Sequence, residues 1–131
     1  MPVTGDFREN GRISFTTITD PWETRDLTNR YVIEEAHRSS VPYTVHSIMD
    51  FTEMRTVPMG IFRARLDAPA LVDPNAGMLV LVGTKPLARS VAEMIFRLAH
   101  FDRAYFVDTV EEAMALVRER MAEEDRAAMP A

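Results

Sequence analysis

The chain has 131 residues, 47% of them hydrophobic and 27% charged, with a net charge of -5 and no cysteine. That length suits one domain able to bury roughly two thirds of its unfolded surface, while the missing cysteines remove disulfides, thiol nucleophiles and thiolate metal sites. The acidic balance argues against nucleic acid, which calls for a basic stripe, and the longest apolar run, Met78 to Val82, is far too short to cross a bilayer.

Nothing resembles a signal peptide, so the expectation is a soluble cytoplasmic protein without membrane contact. Two β-prone runs, Val3 to Phe7 and Arg12 to Ile18, flank Glu9-Asn10-Gly11, and Asn-Gly between such runs signals a hairpin. Asp20-Pro21-Trp22-Glu23 predicts a helix start: Asp20 caps, Pro21 suits the first turn, and Glu23 completes a capping box. This helix is expected to reach about Ser39, with Trp22, Leu27, Tyr31, Val32, Ile33 and Ala36 as its apolar side.

Tyr43 to Phe51 is mostly apolar on both faces, as suits a central parallel strand covered on each side. Its polar exit leads to a short helix from about Pro58 to Leu66, on the spacing of Val57, Ile61, Phe62 and Leu66, and then to a loop from Asp67 to Gly77. Met78 to Gly83 reads as a second buried strand. Thr84 caps the next helix, whose apolar stripe is Leu87, Val91, Met94, Ile95 and Leu98. Ala104 to Val107 is the last strand. Thr109-Val110-Glu111-Glu112 opens a helix through about Met121, with Val110, Ala113, Leu116, Val117 and Met121 inward. Residues 123–131 are charged, then small, and expected to fray. The order implies one α/β domain over 1–122: a mostly parallel sheet of four or five strands, an N-terminal antiparallel hairpin and about four helices.

The strand end Met49-Asp50-Phe51-Thr52, the bridge Glu53 to Val57 into a glycine-containing helix start, the strand VLVG and the closing Asp108-Thr109-Val110-Glu111-Glu112-Ala113 resemble the STAS fold. That domain is shared by anti-sigma-factor antagonists and sulfate transporter tails. The family junction reads Leu-Asp-Leu-Ser and then Asp-Ser-Ser-Gly-Leu, with a serine that a partner kinase phosphorylates to switch binding. Here the second half is Val57-Pro58-Met59-Gly60-Ile61, which keeps the glycine and lacks the serine. The resemblance therefore implies a bacterial, non-enzymatic regulatory module without that phospho-switch. Thr52 and Thr56 are the nearby hydroxyls. The implied surface for a protein partner is Asp50, Thr52, Met54, Arg55, Met59 and Gly60, with Arg55 giving a charged contact, Met54 and Met59 apolar ones, and Gly60 close backbone approach.

Two other readings stand beside it. Asp50, Thr84, Lys85 and Asp108 fall at strand ends and helix starts, where an anion or small ligand is welcome, in a sensor or minor enzyme. The plainer reading of Asp50 is a turn cap bonded to its own neighbours. A structural homodimer through an apolar helix face is the third. No residue spacing suggests a metal, a cofactor or a nucleophile elbow; His37 and His100 sit near helix ends, and His46, inside the central strand, reads as a hydrogen-bonded core or edge residue rather than a base. Met78, Met94 and Met121 are expected in the core.

Overall fold

The computed structural model describes residues 2–54, 76–98 and 100–129. The N-terminal hairpin pairs as its sequence predicts: β1 (Val3–Arg8) runs antiparallel to β2 (Ile13–Ile18), with Val3 opposite Ile18 and Arg8 opposite Ile13. Glu9, Asn10 and Gly11 between them all take positive φ, a conformation that asparagine and glycine adopt most readily. The chain continues through α1 (Thr24–Ser40), β3 (Val45–Asp50), β4 (Ala76–Val82), α2 (Pro86–Leu98), β5 (Ala104–Val107) and α3 (Val110–Ala128). The described residues thus hold three helices where about four are expected; the short helix read from Pro58 to Leu66 lies outside them.

The five strands lie in the order β1-β2-β3-β4-β5 and are parallel from β2 onward. Steps taken repeatedly in one direction, each right-handed, keep their crossing segments on one face. Accordingly α1 and α2 share a core with Ile18, Met49, Phe51, Leu79 and Leu81. The opposite face, Ile13, Phe15, Ile48, Met78, Val80 and Val82, packs on Ala113, Met114, Val117 and Met121 of α3. Both faces of β3 and β4 are therefore covered, which is why those strands read as continuous apolar runs.

Helix α1 departs from its sequence reading. Its N-cap is Glu23, and Asp26 accepts the Glu23 N–H at 2.9 Å, so the capping box sits one step later than Asp20 and Glu23 predict. The Asp20–Pro21 bond is cis and belongs to the turn before the helix. Leu27 and Tyr31 are buried as expected, and Trp22 is partly so, but Val32 (64% exposed), Ile33 and Ala36 face outward. In their place Arg30, Glu34 and Arg38, successive by one turn, lie against the sheet with 6% exposure or less. The strands meet them with hydroxyls. Arg30 donates to Thr16 Oγ1 (3.0 Å) and Ser14 Oγ (2.9 Å), and Ser14 donates to Glu34 at 2.6 Å. Burial lowers the Arg30 pKa, opposed by the Glu34 and Asp6 carboxylates. Gly5 of β1 leaves room for this arrangement, since a Cβ there would stand 2.4 Å from the guanidinium.

On α2, Ala92 and Phe96 make the contact with the sheet, while Met94 (51% exposed) and Leu98 do not join the core as their spacing predicts. The side chains of Leu87, Val91 and Ile95 lie outside the description. Helix α3 runs on to Ala128, past the end expected near Met121. Polar contacts hold the extra turns, where Arg12 meets Asp125 at 3.0 Å and His46 meets Glu124 at 2.6 Å; Arg118, before them, meets Glu9 at 2.7 Å and ties α3 to the hairpin turn.

Candidate functional site

The carboxyl edge of the sheet carries most of the residues singled out in the sequence. After β3 the Phe51 N–H donates to Val82 O (2.9 Å) and the Met54 N–H to Phe51 O (3.0 Å), closing a turn. Asp50 Oδ1 accepts both the N–H (2.9 Å) and the hydroxyl (2.7 Å) of Thr52. This is the local cap expected for an aspartate in a turn. Phe51 and Met54 are each 3% exposed and belong to the core, whereas Thr52 and Glu53 face solvent. Met54 is thus an anchor of the turn rather than an apolar contact at the surface: the Met54 N–H bond to Phe51 O points its chain back toward the core, where the thioether fills space. Arg55, Met59 and Gly60 lie outside the described residues.

Asp50, Thr84 and Asp108 follow neighbouring strands, since Asp50 pairs with Val82 and Val82 with Val107. Gly83, at φ 72°, lets β4 turn away close under Thr52, where a Cβ would approach the Thr52 methyl to 2.7 Å. The Thr84 hydroxyl is buried and has no hydrogen-bond partner among the described residues. Lys85 and Asp108 are exposed. Asp108 precedes the true cap of α3, Thr109, whose hydroxyl accepts the Glu112 N–H at 3.1 Å. The row is contiguous in the sheet, but Asp50 is committed to its own turn.

Two other places show chemistry, the first at His46, which is buried and hydrogen-bonded as its sequence position predicts. At the amino edge, β3 and β4 fall out of step: Val45 pairs with Ala76 and Ser47 with Leu79. The His46 ring fills the irregularity. Nδ1 accepts the Met78 N–H at 3.0 Å, so Nε2 carries the proton and donates it to Glu124 at 2.6 Å. Both ring nitrogens are used, which leaves no lone pair for a base or a metal. Burial holds the His46 pKa below its ordinary value, outweighing Glu124, which pulls the other way. A cleft of about 230 Å³ beside it is lined by Thr44, Arg103, Arg120 and Glu124 among others. Glu124 stands in the segment expected to fray, so nothing in the sequence pointed to this pair.

The second place is the outer margin of β5, where a cleft of about 800 Å³ opens between α2 and the sheet edge. Arg89, Glu93, Arg97 and Asp102 line it with Phe96, Phe101 and Phe106. The Arg89 guanidinium lies 4.9 Å from the Phe106 ring centroid and 2.9 Å from Glu93. A search for family models and for curated proteins found no match to the chain.

Proposed function

We propose that this chain is a regulatory protein-interaction module of STAS-like type, without the serine switch, that meets a protein partner through the exit of β3 from Asp50 to Gly60. The order of elements, a hairpin followed by strand–helix steps through adjacent strands, supports the reading. The observation that carries it is the turn after β3. Phe51 and Met54 are fixed in the core on either side of Thr52 and Glu53, so these two exposed residues are held out by a rigid base. Presenting Thr52 and Glu53 to a partner costs little on binding, because the turn that carries them is already closed by its own hydrogen bonds.

The test is co-purification from host lysate with wild type, Glu53→Arg and Arg55→Glu, alongside thermal melts of all three. The expected result is a protein retained by wild type and lost with both variants at unchanged melting temperature. Retention that both substitutions leave intact would remove this surface from the account. A second reading, an anion sensor at Asp50, Thr84, Lys85 and Asp108, is favoured by the buried Thr84 hydroxyl, which has no hydrogen-bond partner among the described residues. It requires that inorganic phosphate or sulfate raise the melting temperature of wild type and not of Thr84→Val.

A further inference from the structure

We infer that the outer edge of β5 pairs with the same strand of a second copy of this chain, joining two five-stranded sheets into one. Among the described residues no strand pairs with that edge, and the groups it presents are defined. Arg103 O accepts from Leu79 and Val107 O from Gly83, both toward β4. Backbone groups alternate direction along a strand, so residues 103, 105 and 107 face β4, and the N–H and C=O of Ala104 and Phe106 face outward. Edge strands are ordinarily guarded by charge, by proline or by a covering element. β1, at the other margin, carries the exposed Asp6–Arg8 ion pair. β5 reads Ala-Tyr-Phe-Val and carries neither charge nor proline.

A second copy fits this edge by symmetry. An antiparallel pairing about a two-fold axis at Tyr105 sets Ala104 of each chain opposite Phe106 of the other, and all four outward N–H groups find carbonyls. Side chains match as well, with a large ring against a methyl on one face and Tyr105 against Tyr105 on the other, the kind of cross-strand aromatic pair that stabilises sheets. The flanking cleft holds both signs of charge, Arg89 and Arg97 with Glu93 and Asp102. A patch of one sign would repel its own copy, whereas a mixed patch is complementary to itself.

The experiment is sedimentation equilibrium of wild type and Ala104→Pro from low micromolar to several hundred micromolar, with amide hydrogen exchange of wild type at both ends of the range. Proline at 104 removes an outward N–H and leaves the bonds to β4 in place. The expected result is a wild-type mass that climbs from 14.9 kDa toward twice that value, slower exchange at Ala104 and Phe106 in the concentrated sample, and an Ala104→Pro variant that stays single with its melt unchanged. A wild type that remains single throughout overturns the inference, whether the edge is bare or awaits a foreign peptide. So does association in which those two amides exchange at the same rate in both samples, or in which a folded Ala104→Pro associates like wild type. Should Ala104→Pro fail to fold, the wild-type exchange data decide alone.

Discussion

The His46 imidazole takes the Met78 N–H on one nitrogen and gives its proton to Glu124 from the other, at 3.0 and 2.6 Å. One side chain thereby repairs a break in the ladder between β3 and β4 and fastens the far end of α3 over it. A protonated ring cannot do the first of these tasks, because Nδ1 would then face Met78 as a second donor.

Stability is expected to depend on pH through this residue. The folded pKa lies below the ordinary 6.5, so between the two values the unfolded chain binds more protons than the folded one. The contribution of His46 is therefore complete above about pH 6.5, falls as the pH drops below it, and is lost on passing through the lowered folded pKa. Urea titrations at a series of pH values read this directly, and the slope in that window should be reduced in His46→Leu.

At neutral pH His46→Leu is expected to cost about 1–3 kcal/mol, since it orphans a buried backbone N–H and frees the Glu124 carboxylate. Glu124→Gln retains an acceptor for the Nε2 proton and should cost less, about 1 kcal/mol. Equal losses in the two variants would show that the Met78 bond contributes little.

Gly77→Ala tests how tightly the ring is held. A Cβ at residue 77 would stand 2.2 Å from His46 Nδ1, and the ring, bonded at both nitrogens, has nowhere to move. Crowding of this kind is worth about 1–3 kcal/mol, and the loss should shrink in the His46→Ala background, as a double-mutant cycle would register.

Beneath α1, Arg30→Met is expected to destabilise by about 1–3 kcal/mol, because it removes the buried donor that Thr16 Oγ1 and Ser14 Oγ accept from. Chemical denaturation of Arg30→Met beside Ile33→Gln makes the comparison sharp. Ile33 is 51% exposed, and its replacement should change stability by no more than about 0.5 kcal/mol. A large loss at Ile33 and a small one at Arg30 would restore the apolar reading of the helix.

That contrast marks where the sequence speaks and where it does not. Strand β4 is legible because a strand covered on both faces is apolar throughout, and Met78 to Val82 has no other use. The closing helix is legible through Ala113, Val117 and Met121, which repeat at helical spacing. Helix α1 misleads because beside Leu27 and Tyr31 it also turns Arg30, Glu34 and Arg38 inward, and the partners Ser14, Thr16 and Ser47 sit on strands far away in sequence. No periodicity announces a buried Arg30 when its acceptors are hydroxyls on another element. The same holds for Glu124, whose meaning depends on His46. At the exit of β3, Asp50 was readable as a cap because its bonds are local, while Met54 was not, since burial is decided by what the turn does after Thr52.

The one-sided placement of α1 and α2 has a bearing on how the chain comes to be folded. Ile48, Val80 and Val82 have only α3 to cover them among the described residues, and α3 is the last element of the described order. During synthesis from the amino end, all five strands can pair and α1 and α2 can dock while that face of the sheet is still without α3. A protein built this way spends its growth with an open apolar surface, and it becomes safe from its neighbours only when the last helix swings across and Arg12 and Glu9 take hold of it.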